Sequence, residues 1–273
     1  MPEVIVITGC ADGMGKEVTR MLADRGDLIA GFDCDHGCLQ SLRQELKGDH
    51  LLMPLDITDR QGVKSFRDAV LEKYGRVDTV LSNVGIGFFG PFEEVDLERA
   101  LKCLEINVIG AAAIFQAFLP SMRERRSGKL IAMSSLVGQI PFPFESIYTA
   151  SKFAIEGMML SLRYEVEPFG IQVAIIEPAQ VSTTFAAKIH QLPPEGSPYR
   201  ERAGRFIARD DVLIKTAPTP IQAAGRIVKV IKAPRVKIHN QVDFMSSFFL
   251  GLNRFLPRAA RDAILINYMD IKA

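Results

Sequence analysis

The sequence predicts an α/β protein: a single domain built on a doubly wound parallel sheet with helices on both faces. Three observations lead there. Short runs rich in Val, Ile and Leu alternate with stretches of helical period along most of the chain. The first run opens into a glycine-rich turn, Thr8-Gly9-Cys10-Ala11-Asp12-Gly13-Met14-Gly15, and a helical pattern follows. The second run ends in a carboxylate, Asp33. Strand and helix alternating in this way lay the strands side by side in parallel and send the connecting helices to both faces.

The elements follow in order. Val4–Ile7 is a β-branched run, the mark of a buried parallel strand. The helix after the glycine turn carries Val18, Met21 and Leu22 on one face. Strand, glycine turn and helix together form an entry for a dinucleotide. Glycines let the backbone approach a pyrophosphate, and the helix N-terminus offers N–H groups and positive dipole. The spacing is G-x-x-x-G-x-G, and taken alone it also fits an ordinary tight turn.

Leu28–Phe32 is the second strand, and Asp33 at its tip is placed to bond ribose hydroxyls and to repel a 2′-phosphate. Asp12 adds negative charge inside the glycine turn. Both residues point to NAD rather than NADP. The alternative for Asp33 is an N-cap on a helix around Cys38–Leu46.

Leu51–Leu55 is a third strand ending at Asp56, and the helix Arg60–Tyr74 turns Val63, Phe66, Val70 and Leu71 inward. Thr79–Ser82 forms strand four and runs into Asn83-Val84-Gly85. A long helical region, Leu97 to Met122, contains Asn107. Strand five, Lys129–Met133, ends in Ser134-Ser135; the helix Tyr148–Phe169 leads to strand six, Ile171–Ile176. From Ser182 to Thr219 the pattern lapses into prolines and charges, which reads as a long binding loop. Pro220–Ile231 then reads as a helix and Val236–Ile238 as a last strand. The expected division is a core over 1–181, a substrate loop over 182–219 and an apolar segment over 243–273.

Composition narrows the class. With 273 residues, 48% of them hydrophobic and 24% charged, the chain can bury a sizeable core. A formal net charge of +1 gives no field to gather nucleic acid or anionic lipid. Four cysteines are too few for a disulfide framework. Cys34, His36 and Cys38 lack a second ligand pair, so no metal site is expected. Without a signal-like start or an uninterrupted apolar run of about 18 residues, the expectation is a reducing, cytoplasmic setting and no transmembrane helix.

Tyr148 and Lys152 stand four apart, on one helix face. An ammonium that close favours phenolate, which would lower the tyrosine pKa from about 10. Such pairs also occur as plain structural neighbours. Here they accompany a glycine turn and a strand-end serine, and together these elements resemble the short-chain dehydrogenase/reductases over essentially the whole chain. Thr8-Gly9-x-x-x-Gly13-x-Gly15 matches that family's cofactor motif, Asn83-Val84-Gly85 its N-A-G element, Tyr148 and Lys152 its Y-x-x-x-K. Ser135, thirteen residues before Tyr148, matches its catalytic serine ahead of Ser134, and Asn107 matches its helix asparagine. Pro178-Ala179-Gln180-Val181-Ser182-Thr183 resembles P-G-x-V-x-T, with Ala179 in place of glycine. The chain is most similar to the hydroxysteroid and retinol dehydrogenase branch.

The resemblance implies a Rossmann-type fold and an oxidoreductase. Tyr148 would exchange a proton with the substrate oxygen, Ser135 would hydrogen-bond that oxygen, and Lys152 would assist Tyr148 and hold the nicotinamide ribose. Asn107 would anchor a relay water. Gly9, Gly13, Met14 and Gly15 would lie under the pyrophosphate, with Asp12 beside them. Asp33 would bind the adenosine ribose, Asp56 and Ile57 would flank adenine, and Asn83 and Gly85 would line the adenosine side. Pro178, Val181 and Thr183 would lie at the nicotinamide end. Dimers or tetramers, through the helices bearing Asn107 and Tyr148, are also implied.

Phe88, Phe89, Phe92, Phe142, Phe144 and Phe185 flank the reactive residues in sequence and suggest an apolar pocket for a lipophilic secondary alcohol or ketone, or else part of the core. Phe244, Met245, Phe248, Phe249, Leu252, Phe255 and Leu256 recur at helical spacing before Pro257. That stripe needs cover, and the pocket end or a neighbouring subunit is expected ahead of a lipid surface contacted through Arg254, Arg258 and Arg261. The alternative to an enzyme is a dinucleotide-binding regulator or scaffold. The joint presence of Asn107, Ser135, Tyr148 and Lys152 weighs against it.

Overall fold

The computed structural model describes residues 2–87, 89–182 and 192–272, and its sheet grows outward from one fully buried strand, β1 (Val4–Thr8). On one side β1 pairs with β2 (Leu28–Asp33), which pairs with β3 (Leu51–Pro54). On the other it pairs with β4 (Thr79–Ser82), followed by β5 (Gly128–Met133), β6 (Ile171–Ile176) and β7 (His239–Asn240). The order is β3-β2-β1-β4-β5-β6-β7 and every pairing is parallel. The winding reverses between β1 and β4, and a crevice opens at the carboxyl ends of the strands there.

Strand alternation divides the core in two. Val4 and Val6 face α3 (Arg60–Tyr74), α5 (Ala111–Arg125) and α6 (Ser146–Val166), where Phe66, Phe118 and Met159 pack. Ile5 and Ile7 face α1 (Gly13–Asp24), α2 (His36–Glu45) and α8 (Pro220–Lys232), where Leu22, Leu42 and Ile227 pack. Helix starts are fixed by aspartates: Asp12 caps α1, Asp35 caps α2, Asp59 caps α3 and Asp96 caps α4 (Leu97–Leu104). The cap of α2 is therefore Asp35, and Asp33 is left for another task.

Between α4 and α5 the chain makes a π-helical turn, Glu105–Gly110, so that helix runs unbroken from Leu97 to Arg125. By length and composition that span could cross a membrane, although Lys102 and Glu105 interrupt its apolar run. Here Ile114, Phe115, Phe118 and Met122 pack on the sheet, as in a core helix.

Three expectations need correction. The segment read as a loop contains α7 (Arg200–Thr216), whose buried stripe is only Ala203, Phe206 and Asp210. Its many charges hid that narrow stripe. The last strand lies at His239–Asn240, just after the expected run, because pairing with β6 begins at the Ile238 carbonyl. Beyond α9 (Phe244–Phe255) a further helix follows, α10 (Arg258–Tyr268). Arg202, Arg205 and Arg209 of α7 donate to the carbonyls of Ile271, Asp270 and Tyr268, satisfying groups at the end of α10.

The apolar stripe of α9 is split. Phe249 meets Tyr268 edge-on and joins a cluster with Phe89, Phe142 and Phe206 at the carboxyl end of the sheet. Phe244, Phe248 and Phe255 face outward. Asp243 secures this arrangement. It is buried, caps α9 through Ser246 N (2.6 Å), accepts from Ser246 Oγ (3.0 Å) and accepts from Ala179 N (2.9 Å). Asp243→Ala would remove the cap and leave buried N–H groups unpaired. The unfolding free energy should fall by about 2–4 kcal/mol in denaturant titrations.

Candidate active site

A cavity of about 540 Å³ runs along the crevice from the glycine turn to the aromatic cluster. At its first end Gly9 and Gly13 take left-handed φ values of 65° and 53°. A Cβ on Gly15 would lie 1.9 Å from the Gly9 carbonyl oxygen, so only glycine lets α1 enter this closely. The turn therefore has the form of a phosphate cradle. Asp12 lines it and accepts from Gly13 N at 2.7 Å. Met14 lines it, whereas Gly15 packs behind it against Gly9.

Asp33 lines the cavity from the tip of β2, and its two oxygens accept from Ala11 N (3.0 Å) and Asp35 N (3.1 Å). It holds the glycine turn against β2 and still faces the crevice. Asp56 and Ile57 line the same region, as do Asn83 and Gly85. Asn83 Nδ2 donates to the Thr8 and Gly9 carbonyls, at 3.2 and 3.1 Å. Its amide therefore builds the crevice floor. At the other end lie Pro178, Ala179 and Val181. Thr183, Phe88 and Phe185 lie outside the described residues.

Ser135, Tyr148 and Lys152 line the cavity together, from the end of β5 and the first turns of α6. The Ser135 hydroxyl hydrogen-bonds Tyr148, while Ser134, which also lines the cavity, has its hydroxyl beside Glu156 and Gly138. Lys152 Nζ is 5.5 Å from the Tyr148 ring centre and donates to the Met133 carbonyl at 2.9 Å. Burial brings its pKa down to about 8. The expected lowering of the Tyr148 pKa does not occur in this state. Burial and then the Glu145 charge push it up, and only the Ser135 hydrogen bond pulls it down. The ammonium is turned to a backbone carbonyl instead of the phenol.

Asn107 sits behind the cavity wall on the π-helical turn, buried. Its Oδ1 accepts from Ile86 N, and its Nδ2 donates to Ile86 O, both at 2.8 Å, and to Ser151 Oγ at 3.0 Å. The amide clasps the Asn83–Ile86 turn to α6. A Cβ on Gly85 would stand 3.4 Å from both Asn107 Oδ1 and Lys152 Nζ, so this clasp also sets the space around the lysine.

Of the expected apolar wall, Phe89 and Phe142 line the cavity with Leu136, Val137 and Ile214. Phe144 packs behind, edge-on to Phe206 at 5.7 Å, and Phe92 faces solvent at 70% exposure. Two charged lining residues were missed by sequence reasoning: Glu145 and Asp210. Glu145 is the one charged residue between Ser135 and Tyr148, a signal that could have found it. Asp210, within a charged stretch of α7, gave none.

Behind Lys152, Glu156, Glu177 and His239 bring ligand-type atoms within 4.8 Å of one another. Burial, with the Glu177 carboxylate adding to it, raises the Glu156 pKa to about 8. Among the described residues Cys34, His36 and Cys38 form no such group.

Comparison with known proteins agrees with this geometry. Residues 3–193 match the family model described as short chain dehydrogenase. Human 17-beta-hydroxysteroid dehydrogenase type 1 is 30% identical over 272 residues, covering 93% of this chain and 79% of the relative. The 3-ketodihydrosphingosine reductase of Bacteroides thetaiotaomicron is 31% identical over 235 residues, 84% of each. A crystal structure of a short-chain dehydrogenase from Streptomyces avermitilis superposes with a TM-score of 0.82 at 28% identity, covering 96% of this chain and 94% of that one. With its parallel sheet, glycine cradle and clustered Ser135, Tyr148 and Lys152, the chain belongs to the short-chain dehydrogenase family, in the hydroxysteroid and retinol dehydrogenase branch.

Proposed function

We propose that this chain is an NAD-dependent oxidoreductase that interconverts a lipophilic secondary alcohol and its ketone. The observation that carries the reading is the continuity of one cavity. It joins the glycine cradle and Asp33 to Tyr148, Ser135 and Lys152, and then to a wall of Phe89, Phe142, Leu136 and Val137. A nicotinamide dinucleotide fits the cradle, and when bound it would supply or accept the hydride at the substrate carbon.

The chain's own groups account for the rest. A substrate oxygen at the Tyr148 and Ser135 hydroxyls would accept two hydrogen bonds as negative charge develops on it. Tyr148 would give that oxygen its proton in reduction and take it in oxidation. Lys152 would turn from the Met133 carbonyl toward the ribose and the phenol, lowering the Tyr148 pKa once the site is filled. Asn107 acts as a positioning residue, through Ile86 and Ser151. Asp33 supports NAD over NADP, since a 2′-phosphate beside its carboxylate would be repelled. The human relative's name supports a bulky apolar substrate, as do the aromatic walls.

The helices bearing Asn107 and Tyr148 expose Leu101, Ile109, Phe153 and Tyr164. That apolar face supports a homodimer or homotetramer.

Assays of lipophilic alcohols and ketones with NAD(H) and NADP(H) test the reading. Tyr148→Phe should keep the fold and lower turnover by about a thousandfold, the scale of a lost acid–base group. Retention of activity within about tenfold would remove Tyr148 from the proposed role.

A second expectation concerns Lys152. Its folded pKa of about 8 lies below the ordinary 10.5, so burying the charged form destabilises the fold below pH 8. Between pH 8 and 10.5 the unfolded chain binds more protons, and wild-type stability should gain on Lys152→Met as the pH rises. Thermal unfolding at pH 7 and pH 10 should show the two proteins' midpoints shifting in that sense. A difference independent of pH would contradict the buried-lysine account.

A further inference from the structure

The cluster of Glu156, Glu177 and His239 behind Lys152 takes no part in the chemistry described above. Glu156 lies one turn after Lys152 on α6, Glu177 follows β6, and His239 opens β7. Three separate elements meet here, so no local spacing of ligands announces the group. Glu177 is fully buried and Glu156 is 5% exposed, whereas 35% of the His239 side chain is open to solvent. Among the described residues neither oxygen of the Glu156 carboxyl has a hydrogen-bond partner, and the Ser134 hydroxyl beside it lacks the alignment for one.

The spacing of the three groups is that of ligands around one ion. His239 Nδ1 lies 3.1 Å from Glu177 Oε1 and 3.7 Å from Glu156 Oε2, and each group offers an atom within 4.8 Å of the others. Bonds of about 2.0–2.2 Å to a tetrahedral ion set its ligand atoms about 3.3–3.6 Å apart, between those two separations. Nδ1 carries at most one proton, so its N–H can serve one carboxyl and not both. A cation among the three atoms meets all of them. Glu177 is oriented for it: Oε2 accepts from Gln241 Nε2 at 2.7 Å, and Oε1 turns to His239. Gln139 closes the fourth side. Its amide contacts Glu177 Oε1 and lies 3.3 Å from His239 Nδ1, and a half-turn of that amide would offer Gln139 Oε1 as a ligand. The exposed edge of the His239 ring gives an ion a way in.

We infer that Glu156, Glu177 and His239 form a site for one divalent transition-metal ion of the zinc class. An imidazole with two carboxylates favours zinc over magnesium or calcium, which take oxygen ligands. The ion would be structural. It would tie β7, a two-residue edge strand, to the end of β6 and to α6, the helix that carries Tyr148 and Lys152. The inference stands apart from the oxidoreductase reading, since no hydride or proton step passes through the ion.

The test is calorimetric titration of ZnCl2 into the full chain after chelator treatment and dialysis. Wild type, Glu156→Gln, His239→Gln and a Cys34→Ser, Cys38→Ser double variant are compared, with thermal unfolding of each. Wild type should bind one equivalent, and zinc at about a hundred times its Kd should raise the unfolding midpoint by about 5 °C. The double cysteine variant should bind equally well. Affinity should fall by about a hundredfold or more in Glu156→Gln and in His239→Gln, and MgCl2 should give no comparable binding. No zinc binding by wild type, binding that survives both ligand substitutions, binding lost only with the cysteines, or a preference for magnesium would each overturn the site. His239→Gln, at the partly exposed edge of the sheet, decides the question should Glu156→Gln fail to fold.

Discussion

The clasp between the ends of β1 and β4 is the constraint on which the rest of this molecule depends. Thr8 is fully buried, and its hydroxyl accepts from both Asn83 N and Val84 N, at 3.0 and 3.1 Å. Asn83 returns its side-chain amide to the Thr8 and Gly9 carbonyls. These bonds join the two strands at the place where the winding of the sheet reverses and a crevice must open. The Gly9 carbonyl that Asn83 holds is also the atom that a Cβ at Gly15 would strike. One small junction thus sets the floor of the crevice, the entry angle of α1 and the closeness of the glycine turn to any ligand above it.

Around that junction the protein concentrates its costs. Lys152, Glu145, Glu156 and Glu177 are all buried near the carboxyl end of the sheet. Burial shifts Lys152 and Glu156 toward their neutral forms, both to a pKa of about 8. Such groups weaken a fold, and the compensation lies elsewhere: two apolar cores, one on each face of the sheet, and helix starts secured by aspartate caps. The lysine shows the division of labour. Its ammonium donates to the Met133 carbonyl, and under the proposed function it would turn toward the phenol once the site is filled.

Much of this could be read in the chain because it is local. Parallel strands buried on both faces leave continuous Val and Ile runs, and the glycine turn between such a run and a helix is likewise a local pattern. Ser135, Tyr148 and Lys152, which line one cavity, were singled out through the resemblance to the family's motifs, since the Tyr148–Lys152 spacing alone also fits a structural pair. What depends on distant partners was not. Asp243 looks like an ordinary helix cap, and nothing local shows that it also holds Ala179. Helix α7 hides its buried stripe under charge, so the element that brings Asp210 to the cavity was read as loop. The direction of the Tyr148 shift was misread for a related reason. Helical spacing gives the separation of Tyr148 from Lys152, but burial and Glu145 decide the charge balance at the phenol.

The central claim is that the crevice organised by this junction holds a nicotinamide dinucleotide, with Asp33 choosing the form that lacks a 2′-phosphate. Fluorescence titration of NADH and NADPH into wild type and Asp33→Ala tests it most directly. The account predicts saturable binding of NADH to the wild type, NADPH weaker by about tenfold or more, and a preference that shrinks in the variant. Binding of neither dinucleotide, or a wild-type preference for NADPH, would contradict it.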